Sequence, residues 1–305
     1  MKNKNQLYIL LAVLVVLIGI AYLLTSERGE KTASYKLEKK FFEVDSAKVD
    51  KLEIEKKGVK VVLEKSGINW TMTAPVKYAA YEQFIAGCLG DLKNYTLTSI
   101  ASTNPQNKDK FGFNDTSIVK VSVYEAGNLL GTILVGKAGS GAYQTYIKKP
   151  ESDEVYLADK FLQINFVKDN WTDWRNKRIT GFTRSEIKSI ELISKEETFT
   201  LTQDTTNKWT IGKDSVNMSQ VEGLLNILGD MNTQTFYDSP LPEGLNTEYK
   251  VIVKTSTTSE INFYPYEKDG VKRYYLTVTG VNQVFDVDDS FIKNLFKAKK
   301  DFIIK

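Results

Sequence analysis

Asn69-Trp70-Thr71-Met72 and Lys208-Trp209-Thr210-Ile211 are the two stretches on which the reading of this chain turns. Each stands at the same point of a longer pattern. Upstream of Trp70, Val49, Leu52 and Ile54 lead to a Lys57-Gly58 turn, and Val59, Val61 and Leu63 follow it. Alternation of apolar and polar residues about a glycine turn predicts a β-hairpin. Lys65-Ser66-Gly67 is a second turn and delivers the tryptophan strand. Upstream of Trp209, Ile187, Ile190, Leu192 and Ile193 take the place of the first strand, and Phe199 and Leu201 match Val61 and Leu63.

Downstream of each tryptophan the period changes from two to that of a helix. Tyr81, Phe84, Ile85, Cys88, Leu89 and Leu92 fall on one helical face, as do Val221, Leu224, Leu225 and Leu228. Leu89-Gly90-Asp91 and Leu228-Gly229-Asp230 lie 139 residues apart, the same offset as the two tryptophans. Gly112-Phe113 then matches Gly244-Leu245, and the Val119, Val121, Val123 strand matches Tyr249, Val251 and Val253. Asp269-Gly270 reads as a hairpin turn. Val155-Tyr156 corresponds to Val284-Phe285, and Phe161 to Phe291 at an offset of 130 residues. Asp159 reads as the N-cap of a helix carrying Phe161, Leu162 and Phe166. The drift in offset places the shortening in loops. The fold class this predicts is α+β: two tandem repeats, 35–180 and 181–305, each a mostly antiparallel sheet with one or two packed helices.

Ahead of the repeats runs LYILLAVLVVLIGIAYLL, from Leu7 to Leu24, without a charge or a proline. At about 1.5 Å per residue it reaches roughly 27 Å, enough for a bilayer core. Residues 1–24 therefore read as a cytoplasmic tip and a transmembrane helix, and residues 25–34 as a polar tether. Lys2 and Lys4 precede the span, whereas Glu27, Arg28, Glu30 and Lys31 behind it cancel. The positive-inside rule puts the N-terminus in the cytoplasm and the bulk of the chain outside a single-pass cell-membrane anchor. Gly19-Ile20-Ala21 offers a small-x-small cleavage site, but Tyr22, Leu23 and Leu24 carry the apolar run past it. No cysteine stands at the end of the run to accept a lipid.

Composition removes several classes of function. The chain has 41 Lys and Arg against 38 Asp and Glu, too nearly balanced for a nucleic-acid binder, which needs a basic stripe. Its one cysteine, Cys88, excludes an intrachain disulfide framework and reads as a small core residue. The absence of histidine removes the commonest general base and most zinc sites. No cofactor, metal site or catalytic residue is predicted.

The remaining constellations have structural readings beside their functional ones. Gly136-Lys137-Ala138-Gly139-Ser140-Gly141 lacks the residue order of a phosphate loop and precedes a strand, so it reads as a turn. Asp286, Asp288 and Asp289 lack calcium-loop spacing and read as helix-opening aspartates. Trp171, Trp174, Tyr143 and Tyr146 are either an aromatic platform for a glycan or core and strand-pairing residues. Asp173 and Arg175 either pair with each other, closing the first unit, or clamp a ligand carboxylate. Trp171, Asp173, Trp174 and Arg175 are the candidate contacts to a ligand or partner.

Several of these features together resemble the bacterial domain of unknown function 4340 (DUF4340). They are the strand pair ending in Trp70, Pro75, the helix, and the Phe111-Gly112-Phe113 step. The Gly136-Lys137 turn before a tyrosine strand, Val155-Tyr156-Leu157 and Asp173-Trp174-Arg175-Asn176-Lys177 complete the set. The resemblance covers most of residues 45–182 and, in degenerate form, the second unit. There no proline follows Trp209, and the tail Asp301-Phe302-Ile303 has no arginine. The resemblance implies a membrane-anchored protein without an established activity, of a kind that in some cases accompanies ABC-transporter components of the gliding-motility auxiliary type.

The function expected is that of a non-catalytic, membrane-anchored, extracytoplasmic binding or scaffold protein, accessory to an ABC-type transport or envelope complex. It would contact membrane lipid through its N-terminal helix and a protein partner through its folded part. An alternative is a ligand- or glycan-binding module with a cleft between the two units. A third reading, a carboxylate-based envelope hydrolase, would have to work without histidine.

Overall fold

The computed structural model describes residues 12–20 and 37–304. Residues 12–20 are helical, and every one of them is exposed. Half of the expected span, Leu7 and Leu24 included, lies outside the described residues. Among the described residues no helix is long and apolar enough to cross a membrane.

From residue 37 the chain builds two nine-stranded sheets with the same order of strands. In the first, β1 (Val49–Lys56), β2 (Val59–Ser66), β3 (Asn69–Ala74) and β4 (Tyr78–Ala79) form a meander running outward to one edge. Helix α1 (Glu82–Asn94) carries the chain to the opposite edge, where β5 (Leu97–Ser102) lies. A 310 turn over Pro105–Phe111 then returns it to the centre. There β6 (Val119–Glu125) pairs with β1, and β7 (Asn128–Ala138), β8 (Thr145–Lys148) and β9 (Val155–Ala158) step outward until β9 meets β5. Every pairing in the sheet is antiparallel. A short helix, α2 (Leu162–Phe166), follows.

The second sheet repeats this path. Strands β11 (Ser189–Ile193), β12 (Thr198–Gln203), β13 (Trp209–Ile211) and β14 (Asp214–Ser215) make the first meander, and α3 (Met218–Gly229) makes the crossover. Edge strand β16 (Thr235–Tyr237) pairs with β20 (Val284–Asp288), reached through β17 (Tyr249–Lys254), β18 (Thr258–Lys268) and β19 (Val271–Val278). Helix α4 (Asp289–Leu295) takes the place of α2, and α5 (Lys299–Phe302) follows it.

The period-two reading holds because alternate residues enter a core. Leu52 and Leu63 sit opposite each other with no exposed surface, flanked by Val121, Val123, Trp70 and Met72. Helix α1 closes this core with Ile85, Cys88, Leu89 and Leu92, and Cys88 is fully buried. Helix α3 does the same in the second unit with Val221, Leu224, Leu225 and Leu228. Burial of side chains of this size stabilises by about 1.5–3 kcal/mol each before the entropic cost of ordering them. The Phe-Gly-Phe step and the Gly136-Lys137 pair prove to be one packing unit. Gly112, at φ +83°, lies so close to Lys137 that an added Cβ would stand 2.8 Å from its amide nitrogen, and a Cβ on Gly136 would strike the Phe111 carbonyl. Gly136, Lys137 and Ala138 continue β7, so the turn expected from Gly136 begins three residues later, at Gly139.

Asp159 is a correction to the sequence reading. The residue before α2 is Phe161, which makes no side-chain cap. Asp159 instead accepts hydrogen bonds from the Thr96 amide and hydroxyl at 2.6 and 2.7 Å, tying β9 to the chain entering β5. A rigid neighbour with two donors outcompetes the frayed end of a five-residue helix. In the second unit the aspartate at this place does cap: Asp288 accepts from the Phe291 amide at 3.0 Å.

Candidate functional site

The four candidate contacts lie where the first unit hands over to the second, and of them Trp171 and Arg175 stack on each other while Asp173 and Trp174 go elsewhere. Residues Trp171–Trp174 form a 310 turn capped by Asn170. Trp174 turns into the first core, 1% exposed, with its ring 5.1 Å from that of Phe84. Asp173 stays at the surface and pairs with Lys177 at 3.4 Å. Arg175 leaves the turn in extended conformation and carries its side chain fully inside the protein. Its partner is Asp238 of the second unit, with Nη1 donating to Oδ1 at 2.7 Å. The Asp173–Arg175 pair allowed by the sequence is therefore not formed, because the turn ends between the two residues and sends them to different environments.

The aromatic platform is likewise not assembled. Tyr143 packs on Phe161 at 4.5 Å, Tyr146 on Phe111 at 4.7 Å, Trp174 is in the core, and Trp171 covers Arg175. Of the acidic trio, Asp286 accepts from Arg273 and from the Tyr266 hydroxyl, both at 2.8 Å, Asp288 caps α4, and Asp289 pairs with Lys293. Burial, followed by the hydrogen bond to Asp286, pushes the Tyr266 hydroxyl up to about 12. Among the described residues no three His, Cys, Asp or Glu side chains stand close enough together to hold a metal ion.

What the junction does hold is a caged cation. The Arg175 guanidinium lies 4.5 Å from the ring centre of Trp171, 4.7 Å from that of Phe236 and 5.0 Å from that of Tyr78. Tyr78 and Trp171 belong to the first unit, Phe236 and Asp238 to the second, and Tyr78 meets Phe236 edge-on at 5.5 Å. Burial raises the Tyr78 hydroxyl above its ordinary value, and the neighbouring arginine opposes that rise. Nε and Nη2 of Arg175 are buried without a hydrogen-bond partner. Aromatic faces and one carboxylate thus replace water around this charge, and each face is worth about 0.5–2 kcal/mol when desolvated. Sequence reasoning missed Tyr78, Phe236 and Asp238, which are remote from Arg175 along the chain. The signal available was the missing arginine in the second unit: a residue present once in a repeated pattern has work at the junction.

Main-chain pairing reinforces the cage. The Trp174 carbonyl accepts from the Tyr81 amide at 2.9 Å, Arg175 bridges Ala80, and the Asn176 amide donates to Ala79 at 2.8 Å. The strand then changes partner. The Lys177 carbonyl accepts from the Thr233 amide at 2.9 Å, β10 (Arg178–Thr180) pairs with β15 (Met231–Asn232), and the Phe182 amide donates to Leu228 at 3.0 Å. Ile179 packs in the second core. Residues 174–182 are thus bonded first to one unit and then to the other.

Beside this strand an open cleft of about 750 Å³ separates the start of α1, at Tyr81, Glu82 and Gln83, from the Asp230–Gln234 segment of the second unit. Asn176, Lys177 and Arg178 form the wall between them. Three of the cleft's four charged side chains are paired, and the fourth, Glu82, accepts from the Trp70 amide. Lys177 donates to Gln234 and Asp173, and Arg178 lies 3.9 Å from Asp230 and donates to the Gly229 carbonyl.

The class defined by these features is an α+β protein of two like sheets joined across a polar cleft. The chain matches the family described as domain of unknown function DUF4340 over residues 70–248, more than half of its length, and it belongs to that family. The match is a single stretch that begins in β3 and runs through the junction to the residue before β17. This frame differs from the expected one of residues 45–182 plus a degenerate copy; the two-unit organisation rests on the repeated sheet order. Comparison with curated proteins and with solved structures gives no match.

Proposed function

We propose that this chain is a non-catalytic, membrane-anchored, extracytoplasmic binding protein, accessory to an ABC-type transport or envelope complex. Residues 12–20 carry this reading. They form a helix with Val13, Leu14, Val15, Val16, Leu17, Ile18 and Ile20 all about half exposed or more, on every side. A helix that is apolar all round has no stable place in water and belongs in a bilayer or in a core. It lies inside the longer charge-free run from Leu7 to Leu24. The folded part that follows has no histidine, and its one cysteine is buried with its thiol pushed up to about 12, which leaves no thiolate nucleophile. Chemical crosslinking in intact membranes, followed by affinity recovery and mass spectrometry, tests the proposal. Stoichiometric recovery of ABC-transporter subunits is the expected result, and repeated recovery of the chain alone would refute the accessory role.

The junction cleft favours a second reading, in which the protein binds a ligand between its two units. Clefts of this size at the meeting of two units are common ligand sites, and the caged Arg175 would hold the walls at a fixed spacing. A thermal-shift screen of envelope glycans and small metabolites tests it; a flat screen would count against it.

A further inference from the structure

We propose that the junction cleft binds a neutral, polyhydroxylated ligand, an oligosaccharide, through the carboxamides of its walls and the ring of Tyr81. This rests on the ligand-binding reading above. The inference follows from what the cleft offers and what it withholds. Its ionic side chains, Glu82, Asp230, Lys177 and Arg178, sum to zero charge. Both cations are already engaged, by Asp173 and Gln234 for Lys177 and by Gly229 and Asp230 for Arg178. An anionic ligand would find no uncompensated cation, and a cationic one would find Glu82 alone, already accepting from the Trp70 amide. An apolar ligand would find little besides Ala80 and one aromatic ring.

The uncommitted groups are polar and of both kinds. The Gln83 side chain makes no hydrogen bond within the described residues. Asn176 uses only its carbonyl oxygen, on the Arg178 amide, and Gln234 only its own, on Lys177. Asn232 uses only its nitrogen, on the Asp230 carbonyl, and Glu82 only one oxygen, on the Trp70 amide. Free amide nitrogens and free amide and carboxylate oxygens therefore both belong to residues that line the cleft. A sugar hydroxyl both donates and accepts, so a row of hydroxyls can satisfy such a mixture, whereas a ligand of one hydrogen-bonding sense cannot. Tyr81 adds a flat apolar surface for the C–H face of a pyranose. Its ring lies nearly parallel to that of Phe84, 6.2 Å away, and the residue is 38% exposed. A planar base would need a second flat wall, and the cleft has one aromatic ring.

Calorimetric titration of the full chain, in a detergent without a sugar headgroup, tests the proposal. The probes are chitotetraose and cellotetraose as neutral saccharides, tetragalacturonate as an anionic one, and tetra-alanine as a peptide. The expected result is binding of a neutral tetrasaccharide. Tyr81→Ala and the Gln83→Ala/Asn232→Ala pair should weaken it at least tenfold, and Tyr143→Ala, remote from the cleft, should leave it unchanged. Unaltered thermal midpoints of the cleft variants would show that they fold. Binding of tetragalacturonate or tetra-alanine, lost in the cleft variants while neutral saccharides give no heat, would overturn the ligand class and leave the ligand-binding reading standing. Saccharide binding insensitive to the cleft variants would overturn the location. Absence of heat from all four probes would overturn the proposal and count against the ligand-binding reading as well.

Discussion

Replacing Asp238 by alanine should loosen the junction more than replacing the arginine it pairs with. Arg175 is fully buried, and its single side-chain hydrogen bond goes to Asp238 at 2.7 Å. Removing one partner of a buried pair typically costs about 3–5 kcal/mol, because a charge is left uncompensated. The Asp238 side chain is 35% exposed, so solvent already screens part of the interaction, and a discounted cost of about 2–3 kcal/mol is expected. Arg175→Met removes the charge together with its need for a partner and leaves a flexible thioether among Tyr78, Trp171 and Phe236, a favourable setting for sulfur. It should cost less than Asp238→Ala, and the double variant should resemble Arg175→Met. Amide hydrogen exchange is the assay, read at Asn176 and Thr233, whose amides donate to Ala79 and Lys177 on the two sides of the joining strand. Exchange there should quicken on the order of 30- to 150-fold in Asp238→Ala, at 1.4 kcal/mol per tenfold, with amides of β1 and β6 unchanged. An acceleration under threefold, or a larger effect from Arg175→Met, would refute the account of the cage.

Other consequences are open to measurement. Trp174→Ala, which empties a site 1% exposed between Phe84 and Phe166, should lower stability by about 3–5 kcal/mol in urea unfolding. Cys88, buried with its thiol held at about 12 by burial, should resist a thiol reagent at pH 8 in the native protein and react at once in denaturant. Burial raises the Glu53 carboxyl, but hydrogen bonds from Lys51, Lys60 and Tyr124 outweigh it and hold the group at about 2. A folded-state value below the unfolded one, about 4.3, gives stability that is complete above that pH and is lost as pH falls toward 2. Glu53→Gln should therefore flatten the acid limb of a thermal-midpoint profile over that window, and an unchanged limb would remove the carboxylate from the account.

The repeat was legible because it is written in local terms. A tryptophan strand, a helical period and a Leu-Gly-Asp step recur at one spacing, and both sheets follow from hairpins whose alternation can be read directly. Edge strand β5 was not legible. Leu97-Thr98-Ser99-Ile100-Ala101-Ser102 has a single deeply buried residue, so it lacks the alternation that marks a half-buried strand and reads as a polar stretch. Nor could the cage be read. Trp171, Asp173, Trp174 and Arg175 stand together in sequence, but the cage around Arg175 depends on Tyr78, Phe236 and Asp238, which reach it only through the fold. The cleft walls are ordinary exposed polar residues, and only the path of residues 174–182 between the units brings them face to face.

The central claim, that the two sheets stand outside a membrane on an apolar anchor, is tested most directly by cysteine labelling in intact protoplasts. Ile68, 86% exposed in the turn between β2 and β3, is replaced by cysteine, and the buried Cys88 leaves the unmodified chain as a silent control. A membrane-impermeant maleimide should label Ile68→Cys before lysis as fully as after it. Labelling that occurs only once the membrane is broken would place the folded part on the cytoplasmic side and contradict the account.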